Sequence, residues 1–366
     1  MSRTDLVKAP TLGDVAAAAG VSKGTASNVF NRPKLVREAV RVRVLEAARE
    51  IGYRGPDPKG RMLSAGRANA IGIATMEPLA HLFEDPFARR LMAAISEVCQ
   101  EEGVGLSLVS AIGEDDLAWT MDSALVDGFI LFCITGARRL IRRSRERRLP
   151  FVALDLGDGD ETLPAVGIDN GDGARRIARH LLDLGHRRFA VLAMELSMAR
   201  PGGGGEARDA AEGGDVEYHA ARHRLVGTLH VLAEAGIEAS AVPVFETTGD
   251  EASVHAALET LFSAPVRPTA IVAQSDLIAL IALSWLAAKG VAVPGAVSVT
   301  GFDGIPEGAL SDPPLTTMAQ PIAEIGRRAV RLLLDATSSA PDAPARQERL
   351  HAELIVRGSS GPVAAD

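Results

Sequence analysis

The sequence predicts two folded parts: a small all-α helix-turn-helix unit at the N-terminus, then a two-lobed α/β domain built on parallel sheets. Three observations carry this. Residues 11–31 hold two short, apolar-striped helical stretches separated by a glycine turn. From Ala70 onward, short β-branched runs alternate with helix-length amphipathic stretches, the pattern of parallel sheets covered on both faces. Roughly 300 residues are generous for one such sheet, so two lobes facing a cleft are expected.

Composition sets the outer bounds. The 366 residues are 47% apolar and only 4% aromatic, as in a globular protein. No uncharged apolar run approaches the length of about 18 residues that spans a bilayer, so no membrane partner is expected. Met1-Ser2-Arg3-Thr4-Asp5 lacks the apolar core of a signal peptide, which favours the cytoplasm. Cys99 and Cys133 are far apart and without metal-type spacing, so they read as reduced, buried thiols. His180, His186, His219, His223 and His230 form no metal-binding pattern, and neither metal nor cofactor is expected. The net charge of −8 is unevenly spread: residues 1–67 carry 13 Lys+Arg against 6 Asp+Glu, a balance of +7, leaving −15 on the rest. A basic end on an acidic body suits a protein that meets phosphates with one end only.

The first helix follows Thr11, an N-cap with Asp14 in the reciprocal position, and stops at Gly20. Its Leu12, Val15, Ala16 and Ala19 repeat at helical spacing and can pack on Ala26 and Val29 of a second helix capped by Ser22. Two short helices joined by a tight turn place the second in the DNA major groove. A third helix, Val36 to Ile51, buries Val40, Val44, Ala48 and Ile51 and ends at Gly52.

The order Thr-Leu-x-Asp-Val-Ala, Ala-Gly-Val-Ser and Thr-x-Ser-x-Val-x-Asn from Thr11 to Asn31, with a helix closing in Ile51-Gly52-Tyr53, resembles the headpiece of the LacI/GalR family of bacterial transcription regulators. The resemblance implies a homodimeric regulator, usually a repressor, of a near-palindromic double-stranded operator. A small-molecule effector, a sugar or sugar derivative, would control its operator affinity. It also implies an effector domain similar to periplasmic sugar-binding proteins, and a division into headpiece 1–55, hinge 56–67 and effector domain 68–366. The N-lobe is expected at about 68–169 plus 302–320 and the C-lobe at about 170–301 plus 321–357, with crossings near Asn170, Phe302 and Gln320.

The hinge segment is rich in proline and glycine, although Lys59 to Ala65 can form one or two helical turns. The family resemblance makes it a hinge helix pairing with its partner in the minor groove, with Leu63 as the wedge between base pairs. Opening a base step costs a few kcal/mol, offset by contacts to the bent DNA. Pro58 and Gly60 depart from a helix-favouring hinge.

In the effector domain, the expected strands are 71–75, 105–110, 128–133, 151–154, 188–193, 242–245, 270–273 and 297–302. Helices are expected at 86–102, 171–184, 218–235, 251–262, 276–289 and 322–334. The glycine-rich 199–214 stretch reads as a flexible loop, since no Lys-Ser/Thr pair follows to make it a P-loop. The residues after Arg357 carry no leucine heptads, so no coiled-coil tetramerisation is expected.

Nine positions are candidate DNA contacts. Lys23 can donate to guanine O6/N7 or to a phosphate. Gly24 has no side chain where the family usually carries a base-reading residue. Asn28 can pair bidentately with adenine, where the family more often has arginine. Thr11, Ser22, Thr25, Ser27 and Asn31 are capping or phosphate groups, and Leu63 is the ninth position.

Ligands of two-lobed α/β proteins bind where strand ends face the cleft. The resemblance picks out Asp155 after its strand, Arg224 in an Arg-Leu-Val-Gly run, and Asp276 in Gln274-Ser275-Asp276. Phe87 and Phe302 would be apolar walls. Carboxylates and an arginine fork suit a polyhydroxylated ligand, with a nucleobase as the other possibility. Asp169 and Asp303 read as structural, and Trp119 and Trp285 as core. A carbohydrate receptor or sugar-processing enzyme with a degenerate headpiece is the alternative reading. No nucleophile elbow, zincin helix or Walker motif supports catalysis, and the sequence reads as non-enzymatic.

Overall fold

The computed structural model describes residues 10–55, 66–75, 77–110, 121, 123–132, 137–156, 162–196, 219–338 and 344–364. Leu63 with nearly all of the hinge, Trp119, Cys133 and the glycine-rich stretch lie outside the described residues. The chain divides into two compact units, Met1–Ala68 and Asn69–Asp366.

The first unit contains helices α1 (Leu12–Ala18), α2 (Lys23–Asn31) and α3 (Glu38–Glu50). Thr11 and Asp14 close a capping box: the Thr11 amide and hydroxyl both donate to Asp14 Oδ2 at 2.8 Å. Ser22 Oγ accepts from the Thr25 amide at 3.1 Å, starting α2. Helices this short are marginal alone, so their stability comes from the shared core of Val15, Ala16, Ala19, Ala26, Val29, Val44, Ala47 and Ala48. Phe30 meets the Tyr53 ring edge-on at 5.5 Å and closes that core. The third helix starts later than expected: a 3-10 turn, Pro33–Leu35, leaves Val36 extended and delays the start to Glu38.

The second unit contains two six-stranded sheets. One is wholly parallel and ordered β11-β5-β4-β3-β1-β2, from β1 (Ala70–Thr75), β2 (Gly105–Ser110), β3 (Phe129–Phe132), β4 (Phe151–Ala153), β5 (Ala165–Ile168) and β11 (Gln347–Leu350). The other is ordered β12-β10-β9-β8-β6-β7, from β6 (Phe189–Met194), β7 (Val244–Thr247), β8 (Ala270–Ala273), β9 (Ser298–Asp303), β10 (Thr316–Ala319) and β12 (Glu353–Ile355). Only β12 runs antiparallel in it. The helices of this unit with described bounds are α4 (His81–Glu84), α5 (Pro86–Glu102), α6 (Ala137–Glu146), α7 (Asn170–Asp183), α8 (His219–Glu234), α9 (Glu251–Ser263), α10 (Asp276–Ala288), α11 (Pro306–Leu310) and α12 (Ile322–Ser338).

The expected lobe boundaries need correction. Residues 302–320 belong to the second sheet, because β10 pairs in parallel with β9. Residues 322–350 belong to the first: α12 packs against α5, where Gly326 admits the Leu91 carbonyl, and β11 pairs with β5. The chain therefore changes sheets between Ile168 and Asn170, between Ala319 and Ile322, and between Leu350 and Glu353, with no crossing at Phe302. The C-terminal stretch is stitched to the second sheet rather than projecting: Val299 donates to the Ser359 carbonyl at 2.8 Å, and buried His186 donates through Nε2 to the Gly361 carbonyl at 3.0 Å. Burial lowers the His186 pKa from its ordinary value, which favours a neutral imidazole between the Thr269 hydroxyl and the Gly361 carbonyl.

Candidate functional site

In the first unit, α2 buries Ala26 and Val29 and turns Lys23, Gly24 and Asn28 to solvent. That division follows from helical periodicity, since residues 26 and 29 share one face and 24 and 28 another. Ser22 and Thr25 bond each other through their hydroxyls at 2.8 Å. Asn31 donates to Ser27 Oγ at 3.1 Å, so these two brace the same face. Gly24 has ordinary helical backbone, and a Cβ there would meet nothing closer than Ser22 Oγ at 3.8 Å. The fold has no need of a glycine at this position.

In the second unit, both lobes line a cavity of about 630 Å³. Its apolar wall comes from Phe87 and Phe132, stacked with centroids 6.5 Å apart, with Leu91 and Leu154 beside them. Asp85 caps α5 through the Ala88 amide at 2.7 Å and so presents Phe87 to the cavity. The polar floor is Asp155, Asn170, Arg224, Asp303 and Gln320.

Arg224 is the buried centre of this floor. Its Nε donates to Asn170 Oδ1 at 2.9 Å, and its Nη1 donates to the Gln274 carbonyl and lies 3.5 Å from Asp303 Oδ1. Its guanidinium carbon rests 3.8 Å above the Phe302 ring. Burial lowers its pKa while Asp303, Asp155 and Asp276 oppose the change, and a guanidinium stays charged. Asp303 also accepts from Gln320 Nε2 at 2.8 Å. Its carboxyl is pushed up to about 8, chiefly by desolvation and further by Asp276 and Asp85, against the downward pull of Arg224 and of the Gln320 hydrogen bond.

Three of the expected ligand contacts, Phe87, Asp155 and Arg224, come together at this cavity. Two do not. Phe302 is 1% exposed and lies beneath Arg224, so it supports the guanidinium and forms no wall. Asp276 is fully buried: Oδ1 accepts from Thr317 Oγ1 at 2.5 Å, and Oδ2 from the Gly304 and Ile305 amides at 2.7 and 2.8 Å. Its carboxylate holds the turn after β9 and has no capacity aimed at the cavity. Asp303, read from sequence as structural, is the member of this pair whose carboxyl group lines the cavity. With φ at 131°, it occupies a backbone region disfavoured for a residue with a side chain. The sequence reading also missed Asn170 and Gln320 as cavity residues; they stand two residues after β5 and one residue after β10. The available signal was a polar side chain within two residues of a strand end.

The described lining is rich in carboxylates: Glu77, Glu84, Asp85, Glu195 and Asp250 join Asp155 and Asp303 around Arg224. No group of three or more potential metal-ligating side chains exists among the described residues. Nor is any described helix long and apolar enough to cross a membrane.

Residues 11–55 match the family described as bacterial regulatory proteins, lacI family, and residues 178–360 match the periplasmic binding protein-like domain. An HTH-type transcriptional regulator of Mycobacterium tuberculosis is 37% identical over 358 residues, covering 97% of this chain and 98% of that protein. Among solved structures, a transcriptional regulator CelR–cellobiose complex aligns with a TM-score of 0.67 at 29% identity, covering 96% of this chain and 99% of that one. A lac repressor dimer bound to operator and the anti-inducer ONPF aligns with a TM-score of 0.77 at 25% identity, covering 97% and 100%. A capped helix-turn-helix unit, joined to two parallel-sheet lobes around a polar cleft, has its counterpart in these proteins over nearly the whole chain: the protein belongs to the LacI family and is a DNA-binding transcriptional regulator.

Proposed function

We propose that the protein is a non-enzymatic, homodimeric repressor whose operator affinity is set by a small, uncharged, polyhydroxylated effector bound between the lobes. One observation carries the effector class: Arg224, Asp303, Asn170 and Gln320 form a polar floor under a Phe87–Phe132 wall. The floor suits vicinal hydroxyls and the wall suits the apolar face of a sugar ring. The excess of carboxylates argues against a sugar acid, whose charge would be repelled, and for a neutral sugar. The structural relatives include a regulator in complex with cellobiose and another with bound ribose. Lys23 and Asn28 are the proposed base readers, with Thr11, Ser22, Thr25, Ser27 and Asn31 as caps and phosphate contacts. Leu63, within hinge 56–67, is the proposed minor-groove wedge. A homodimer matches a two-fold operator with one headpiece per half-site.

Selection from a random duplex pool with the full-length protein tests this directly. One near-palindrome is expected to be enriched, and an Asn28→Ala or Leu63→Ala variant to lose it. A panel of neutral sugars should then contain one that changes operator affinity in the parent protein but not in Arg224→Ala. An effector response that survives Arg224→Ala would remove the cleft from the proposal. Enrichment of no sequence, with or without sugars, would refute the operator reading.

A further inference from the structure

Residues 137–148 hold seven arginines and one glutamate, on a body whose overall balance is strongly acidic. Most of this stretch is α6, which packs on the first sheet by burying Ser144 and partly burying Ile141. Among the described side chains, Arg142, Arg145 and Arg148 are turned to solvent, with Glu146 the one exposed carboxylate between them. The Arg142 side chain is 71% exposed and 4.0 Å from Glu146, whose main partner is Arg143 at 2.8 Å. Arg145 and Arg148 are exposed, and neither has an acidic partner among the described residues.

Topology fixes where these arginines lie. β4 pairs with β3, which pairs with β1, all parallel, with Phe151 level with Phe129 and Phe129 level with Gly72. The end of α6 that leads into β4 is therefore at the same end of the sheet as Ala70, where the chain enters from the first unit. Adjacent strands are about 4.8 Å apart, so β4 begins roughly 10 Å to the side of β1. Arg67 is exposed just before β1. Asp127, an acidic neighbour on this edge, accepts the Asn69 amide at 2.8 Å, and the exposed Glu101 and Glu102 close α5 beside the start of β2, on the far side of β1 from β4.

We infer that this arginine patch is a second DNA contact: a sequence-independent grip on duplex phosphates, separate from the base-reading helix α2. Three features favour DNA over a protein partner. Guanidinium groups match phosphate geometry and hold their charge at any physiological pH. Among the described side chains of α6, those turned outward are charged and none is a large apolar or aromatic group of the kind that anchors the centre of a protein interface. The patch also sits at the end of the lobe to which the headpiece is tethered, which keeps duplex DNA at a high effective concentration. The inference rests only on the DNA binding of the family and is independent of the effector.

The salt dependence of binding to a non-operator duplex of about 40 bp tests the inference, because each phosphate contact contributes about 0.9 to the slope of log K against log salt. Arg142→Gln/Arg145→Gln/Arg148→Gln in the full-length protein should lower that slope by about 2–3 per chain. Replacing the same three residues with lysine should preserve it. Lys23→Gln serves as the headpiece control. The single variants Arg145→Gln and Arg148→Gln, at exposed positions, should each lower the slope by about 0.9 and guard against misfolding of the triple. An unchanged slope in the glutamine triple would overturn the inference; if Lys23→Gln still lowers the slope, DNA binding itself stands, and an acidic protein becomes the patch's partner. Equal losses in the lysine and glutamine triples would also overturn it, since the effect would then come from packing rather than charge.

Discussion

Replacing Gly24 with alanine should make the headpiece more stable and worse at binding DNA. The stability part follows from geometry. Gly24 sits in the first turn of α2 with ordinary helical backbone, and an added Cβ would find Ser22 Oγ at 3.8 Å, an unstrained contact. Alanine in a helix at a position it can occupy without strain is worth about 0.4–1 kcal/mol over glycine. The binding part follows from exclusion. Since the fold gains nothing from glycine here, its use lies on the exposed side, between the proposed readers Lys23 and Asn28. A bare backbone at that point lets the helix seat deeper in the major groove, and one methyl group would hold it away. A loss of about tenfold in operator affinity, near 1.4 kcal/mol, is expected. Hydrogen exchange at the buried Val15, Ala26 and Val29 amides reads the stability, and titration of the selected operator reads the affinity. If operator affinity is unchanged or rises along with protection, close approach is not the reason for the glycine.

Further expectations concern the effector domain. Gly227→Ala should have the opposite sign to Gly24→Ala: its Cβ would lie 2.5 Å from the Gly171 carbonyl, so α7 and α8 must separate, costing about 1–3 kcal/mol. An unchanged melting temperature would show that this helix contact is softer than its geometry implies. Asp303→Asn should flatten the pH dependence of stability. The native Asp303 carboxyl holds its proton up to about 8 whereas the unfolded one loses it near 4, so parent stability falls as pH rises through that window. The variant should gain on the parent between pH 5 and 8, and parallel curves would refute this. Arg89 on α5 and Glu307 on α11 form a half-exposed ion pair at 3.0 Å between the two lobes. A double-mutant cycle with alanine should give a coupling of up to about 1 kcal/mol that fades in high salt, and a salt-independent coupling would mean that the pair is not acting through charge.

What could be read from the chain followed the strength of the local pattern. Helix α5 was legible because Asp85-Pro86 starts it and a clear apolar stripe of Leu91, Met92, Ile95 and Val98 runs along it. Strands β5, β10 and β11 were not. Ala165-Val166-Gly167-Ile168 is short and broken by glycine, Thr316-Thr317-Met318-Ala319 is half hydroxylic, and Gln347-Glu348-Arg349-Leu350 is a polar edge strand. Each gains its β conformation from neighbours far away in sequence, which is how tertiary pairing overrides propensity. Missing them displaced one expected crossing to Phe302. The choice between Asp276 and Asp303 was equally hidden. Both are carboxylates at the end of a strand or the start of a helix, and only the packed structure turns one into the β9 turn and the other toward the cavity.

The corrected crossings explain how a ligand in the cleft can act on the lobes. Asn170 begins α7 just after β5, and Gln320 follows β10 just before α12, so both stand on chain segments that pass between the sheets. Each is hydrogen-bonded to one half of the central pair, Asn170 to Arg224 and Gln320 to Asp303. A ligand hydroxyl that engages Asp303 or Arg224 must therefore compete with, or reinforce, the bonds that position two of the three interlobe segments. A ligand shifts an equilibrium only through differential contacts with its two states. Here those contacts are built into the interlobe segments themselves, so no extended relay is needed between binding and a change in how the lobes sit. By the same linkage, an operator that favours one lobe arrangement must alter effector affinity by the factor with which the effector alters operator affinity.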